Sequence, residues 1–170
     1  MPNCLRIVIS ALLALWVGSA AVHAAETAKT GLDFELSDGR RFIRLSDLPP
    51  QVTVINFWRF DCPPCLREMP VFAAQAGSGK ARILTVALHR PAEDVLAPAA
   101  VRQALTVLYS LYGPSEPRGL LARFGNLQGA LPYTVLLNAQ RQTCAQRTGE
   151  IDEAWLRAAL IGCAANGGQA

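Results

Sequence analysis

Val52-Thr53-Val54-Ile55-Asn56-Phe57-Trp58 is a nearly unbroken apolar and β-branched run, and after Arg59-Phe60-Asp61 comes Cys62-Pro63-Pro64-Cys65. Such a run reads as a strand buried on both faces. Asp61 suits the N-cap of a following helix, and Pro63 its first position, where a missing N–H costs least. The helix is expected from about Cys62 to Ala76, broken or kinked at Pro70, because proline removes a backbone donor. Gly77-Ser78-Gly79 stops it. A cysteine pair placed between a strand and a helix is the setting of a redox-active site. The first sulfur lies where free N–H groups and the helix dipole stabilise a thiolate. The second can close the ring and expel a mixed-disulfide partner.

Composition narrows the alternatives. The chain has 170 residues, 51% hydrophobic and 17% charged, enough for one domain with its own core and not the composition of a disordered chain. A net charge of +3 is too weak to indicate nucleic acid as a partner. Arg6, the uncharged run Ile7 to Val22 and the small-residue exit at Val22-His23-Ala24 read as a secretory signal over residues 1–24, with retention as an N-terminal anchor the alternative. Cys4 precedes the apolar run, whereas a lipidated cysteine would follow it. Beyond the signal remain Cys62, Cys65, Cys144, Cys163 and a single histidine, His89. One histidine excludes a two-His metal site, and Cys144 and Cys163 are too far apart to complete a zinc site with the first pair. Metal and organic cofactors are therefore not expected. Export places the thiols in an oxidising compartment, the bacterial periplasm.

Residues 25–31 read as a polar lead-in, 32–164 as one domain and 165–170 as a flexible tail. Leu32–Leu36 and Arg41–Leu45 form a hairpin about Ser37-Asp38-Gly39. Ile83–Leu88 is a second buried strand. Val95 to Tyr112 reads as helical after Pro98, with Val101, Leu105, Leu108 and Tyr112 at helical spacing. Pro117 to Phe124 is a shorter helix closed by Gly125. Tyr133–Leu137 and Gln142–Thr148 are the last strands, and Asp152 caps a final helix ending near Cys163. Strands alternating with helices imply an α/β fold with a central mixed sheet, helices on both faces and an N-terminal β-hairpin.

The segment Asn56-Phe57-Trp58-Arg59-Phe60-Asp61-Cys62-Pro63-Pro64-Cys65-Leu66-Arg67-Glu68-Met69-Pro70 resembles the active-site segment of the thioredoxin superfamily. It is most similar to the exported TlpA/ResA/CcmG-like thiol–disulfide oxidoreductases. Asp33-Phe34-Glu35-Leu36 through Leu48 resembles the hairpin opening that branch. Gly129-Ala130-Leu131-Pro132-Tyr133 resembles its cis-proline loop, and Gly149-Glu150-Ile151-Asp152 the approach to its last helix. The resemblance implies a thioredoxin-like fold over nearly the whole domain. It implies Cys62 as attacking thiolate, Cys65 as resolving cysteine and Pro132 as the cis-proline facing them. Glu68 matches an acid beneath the site that relays protons, with an exposed helix carboxylate as the alternative. Trp58 matches a tryptophan near the site, with core packing as the alternative. Trp58, Asp61, Pro63, Pro64, Leu131 and Tyr133 are the candidate client-binding positions. In the resembling fold the strand bearing Cys144 and the helix bearing Cys163 are neighbours. That makes a structural disulfide the expectation, with free thiols or an exchanging auxiliary pair as alternatives. The implied partners are proteins with disulfides or thiols and a membrane or periplasmic redox donor, the enzyme itself being a monomer.

Four features depart from the resemblance or stay open. Asp61 stands where the family commonly has tryptophan. An anion there opposes thiolate formation at Cys62, unless it points at backbone N–H groups instead. Arg59 and Phe60 replace smaller residues, giving the site an unusual surface. His89 reads as a surface loop residue, and Arg40, Arg41 and Arg44 as a solvated basic face. The leading function is a protein-disulfide reductase, as in cytochrome c maturation or an electron relay. The alternatives on the same fold are a thiol oxidase or isomerase, a copper-binding chaperone using soft thiolates, and peroxide reduction. The last needs a proline/threonine–cysteine signature that Phe57 to Cys62 lacks.

Overall fold

Alternation along one central strand decides which side of the sheet each helix covers. The computed structural model describes residues 31–166. The expected signal segment 1–24, the lead-in up to residue 30 and the expected tail from residue 167 onward lie outside the described residues, while residues 165 and 166, read with the tail, belong to the last helix. In chain order the strands are β1 (Glu35–Ser37), β2 (Phe42–Arg44), β3 (Thr53–Trp58), β4 (Arg82–Ala87), β5 (Tyr109–Tyr112), β6 (Tyr133–Leu137) and β7 (Thr143–Thr148). The helices are α1 (Pro63–Ala76), α2 (Ala99–Leu105), α3 (Arg118–Arg123) and α4 (Glu153–Asn166), with 3-10 turns at Leu45–Asp47 and Pro91–Leu96. One mixed sheet runs β2-β1-β5-β4-β3-β6-β7. β3, β4 and β5 are parallel neighbours, whereas β6 pairs antiparallel with β3 and β7, and β1 with β2 and β5.

All six residues of β3 are buried. Val54 and Trp58 point into a core made with Cys65, Met69 and Phe72 of α1, Val101 and Ala104 of α2, and Leu156 and Cys163 of α4. Ile55 and Phe57 point to the other face, against Leu120 and Leu121 of α3, Phe124, and the hairpin residues Leu36 and Ile43. Successive side chains of a strand leave opposite faces, so one run of sequence feeds both layers. The fold is the α/β architecture expected: a mixed sheet, helices on both faces and an N-terminal hairpin. Among the described residues no helix is long and apolar enough to cross a membrane.

Four local readings change. The stretch read as helical to Tyr112 stops at Leu105, and Tyr109–Tyr112 is β5, hydrogen-bonded in parallel to β4. Without that strand the edge of β4 would be left bare. α1 passes through Pro70 unbroken, with that ring on its exposed side. Asp61 is not a cap: Cys62 holds the N-cap position, with no side-chain cap bond. A cap side chain bonds the N–H of the second or third helical residue, and here the second is Pro64, which has none. Finally, His89 is buried, its side chain 1% exposed. The cap expected of Asp152 is present, its Oδ1 accepting the Trp155 N–H at 2.7 Å.

Candidate active site

β3 delivers the chain to the end of the sheet, and the turn Arg59–Asp61 reverses it into α1. Cys62, at the helix N-cap, is half-buried, while Cys65 one turn on is fully buried. Their sulfurs are bonded, with Cα atoms 5.3 Å apart. The oxidised pair therefore offers one reachable sulfur and one shielded sulfur. Pro63 and Pro64 remove two of the N–H groups at the start of α1, which leaves Cys65 as the first residue whose backbone donor can face a thiolate at Cys62.

Asp61 is held away from that role by a fork. Arg59 Nε donates to Oδ1 at 2.8 Å and Nη2 to Oδ2 at 3.0 Å, while Nη1 donates to the Leu88 carbonyl at 3.3 Å. The guanidinium holds the Asp61 carboxyl below its usual range. The anion next to Cys62 is thus partnered by a cation two residues earlier.

Beneath the pair, Glu68 is fully buried on the inner face of α1, one turn beyond Cys65. Its Oε1 accepts from Asn56 Nδ2 at 2.6 Å and its Oε2 from the Ile151 N–H at 3.1 Å. Burial pushes its carboxyl up to about 7, against the pull of those two donors. Asn56 is the polar residue in the interior of β3, and its Nδ2 also donates to Thr134 Oγ1 on β6 at 3.1 Å. Gly149 N–H donates to the Pro132 carbonyl at 2.8 Å, two residues before Ile151. One short segment, 149–151, thereby ties the Pro132 loop to the buried acid. Arg67 secures it from outside with Nη2 2.6 Å from Glu150 Oε2.

The Leu131–Pro132 bond is cis and Leu131 is half-buried. Trp58 and Tyr133 prove to be core residues, each 1% exposed. Tyr133 O–H donates to the Phe124 carbonyl at 2.7 Å. Neither offers a surface to a client; both pack behind the site. Pro63 is exposed and Pro64 half-buried at the mouth. Cys144 and Cys163 are bonded to each other, with Cα atoms 5.3 Å apart, joining β7 to α4.

His89, read from sequence as a loop residue, sits behind the active-site turn. Its ring meets Trp58 and Phe60 nearly perpendicularly, at 4.8 and 5.2 Å between centroids. Its Nε2 lies 2.8 Å from Asp94 Oδ1, and Asp94 Oδ2 accepts the Tyr112 O–H at 2.5 Å. Burial, then that hydrogen bond, raises the Tyr112 pKa. Asn56, Thr134, Asp94 and Tyr112 are the contributors that sequence reading missed. A single polar residue inside an apolar strand was a usable sign for Asn56. Among the described residues no cluster of three or more His, Cys, Asp or Glu could hold a metal ion.

The geometry matches solved thioredoxin-like structures. A Neisseria meningitidis protein described as a thioredoxin is 25% identical, with a TM-score of 0.65 over 83% of this chain and 93% of that one. A Chlorobium tepidum protein described as the thiol:disulfide interchange protein DsbE is 19% identical, with a TM-score of 0.56 over 77% and 95%. The exposed lipoprotein thioredoxin Etrx1 of Streptococcus pneumoniae is 22% identical, with a TM-score of 0.56 over 76% and 98%. No curated protein matches the chain. The sequence matches the AhpC/TSA family over residues 27–156. With its thioredoxin-like fold and its bonded Cys62–Cys65 pair, this chain belongs to the AhpC/TSA family.

Proposed function

We propose that this chain, a thiol–disulfide oxidoreductase of thioredoxin fold, is an exported enzyme that reduces disulfides of other exported proteins. The observation that carries the reading is the asymmetry of the pair: Cys62 half-buried at a helix start, Cys65 fully buried behind it. The Cys62 thiolate attacks a client disulfide, and the leaving client sulfur takes up a proton. Cys65 then gives its proton to Glu68 and attacks Cys62 Sγ. The Cys62–Cys65 bond forms, the second client thiolate leaves, and two electrons have passed from enzyme to client. Glu68, raised to about 7, can accept that proton near neutrality.

Periplasmic residence is supported by the Ile7 to Val22 signal pattern and by the likeness to an exposed lipoprotein thioredoxin. Likeness to a protein described as a thiol:disulfide interchange protein supports disulfide exchange with client proteins. Pro132 and Leu131 would pair with an extended client segment, with Pro63, Pro64 and Asp61 at its edge. Apocytochrome c cysteines fit as clients, and a membrane or periplasmic redox donor would return the electrons. No metal or organic cofactor enters this cycle, and a monomer suffices.

Replacing Cys65 by serine removes the resolving sulfur and leaves Cys62 free to attack. Expressed in an exporting host, Cys65→Ser is expected to hold client proteins in mixed disulfides that dithiothreitol releases. A folded variant that traps nothing sinks the reading. Stoichiometric copper binding without reduction of a test disulfide would replace it with a chaperone.

A further inference from the structure

The proton step assigned to Glu68 needs a partner that tolerates both of its protonation states. Both carboxylate oxygens already accept a donor: Oε1 from Asn56 Nδ2, Oε2 from the Ile151 N–H. That is the bonding pattern of the ionised form. The Ile151 donor belongs to the backbone and cannot become an acceptor. The Asn56 side chain can, because an amide carries an acceptor and a donor on one rotatable group. Among the described residues its buried Oδ1 has no hydrogen-bond partner. A buried, unpaired acceptor beside a buried acid is costly unless some state of the molecule uses it.

We propose that Asn56 is a positioning residue for Glu68, donating through Nδ2 to the carboxylate and turning to offer Oδ1 once the acid is protonated. In the turned state Oδ1 accepts the Glu68 O–H, and Thr134 Oγ1, now 3.1 Å from Nδ2, donates its hydroxyl proton to the same oxygen. The two amide orientations thus correspond to the two proton states. The remaining groups around Glu68 cannot play this part. On its own helix Cys65 is the proton's source, and Arg67 is exposed and forked to Glu150. Arg147 on β7 and Glu150 before α4 act on Glu68 through their charges with opposite sign and form no bond to it. The Arg147 guanidinium lies over the Trp155 ring of α4, 5.7 Å from its centroid. The use of this device in catalysis rests on the reductase reading; its geometry does not.

The test is a pH titration of the reduced wild-type protein by NMR, following the Glu68 carboxyl carbon and the Asn56 side-chain amide together. The amide signals are expected to move with the Glu68 midpoint, the bonded amide proton losing its downfield shift as the acid protonates. In Glu68→Gln the amide is expected to stop titrating. Asn56→Leu, which removes the donor to the ionised form, is expected to raise the Glu68 midpoint by roughly one pH unit. Thr134→Val keeps that donor and is expected to move the midpoint less. Amide signals that stay still through the Glu68 titration, or that still titrate in Glu68→Gln, overturn the proposal. So does an Asn56→Leu protein of unchanged Glu68 midpoint. The wild-type titration decides the matter should Asn56→Leu not fold. None of these results depends on client trapping by Cys65→Ser, so failure here is distinct from failure of the reductase reading.

Discussion

Glu68 stores a proton at a cost that stability measurements can read. Its pKa stands near 7 in the fold against an ordinary 4.5, because the charged form is buried. Between those values the folded chain binds more protons than the unfolded one, so stability falls as pH rises. The contribution is fully present below pH 4.5 and lost above 7, a change of about 3 kcal/mol. Urea denaturation across this range is expected to show a slope in the wild type that Glu68→Gln lacks. Parallel curves would mean that Glu68 titrates normally. Arg59 invites a second measurement. With its fork to Asp61 cut, an unpartnered anion stands next to Cys62. Arg59→Ala is therefore expected to raise the Cys62 thiol pKa, by at most about one unit for so exposed a pair. Thiolate absorbance against pH reads it, and the same change made in Asp61→Asn should do nothing. A shift that survives in Asp61→Asn would show that Arg59 acts on the sulfur directly.

At the scale of elements, what was legible in the sequence follows from how local each cause is. The strand Thr53–Trp58 and the helix after it were readable because apolar continuity and two prolines act on their own residues. The same holds for the last strands and for the Asp152 cap. β5 was not readable: Tyr109–Tyr112 is four residues long, and Leu108 and Tyr112 also fit helical spacing. Only the need of β4 for a parallel partner separates the two readings, and that need is tertiary. His89 was misplaced for the same kind of reason. Its neighbours Trp58 and Phe60 come from the end of β3 and the turn after it, and Asp94 from a separate segment. In the site, Cys62 and Cys65 announced themselves by spacing, and Glu68 through the family resemblance. The acceptor left over on Asn56 could come only from placing β3, α1, β6 and the Ile151 segment together.

Across the whole molecule the two disulfides serve separate ends of the sheet. Leu136 and Leu137, which pair with β7 on either side of Cys144, also pair with Val54 and Thr53 at the start of β3. Cys62 lies beyond Trp58, past the other end of that strand. At about 3.3 Å per residue, the length of β3 alone puts roughly 15 Å between the two levels. The sulfurs of one pair therefore cannot reach those of the other within the folded domain, which removes the auxiliary-exchange reading of Cys144 and Cys163. What this second bond does is close the turn from β7 through α4, a separation of 19 residues. On the chain-entropy account a loop of that size stabilises the fold by about 3 kcal/mol. The double variant Cys144→Ala/Cys163→Ala is expected to lose about that much in urea denaturation, since Cys163 is buried and its core neighbours remain. Its rate of disulfide reduction, measured on a model client below the unfolding transition, is expected to match the wild type. A large drop in that rate with the fold intact would mean that electrons, or strain, do pass between the two ends of the sheet.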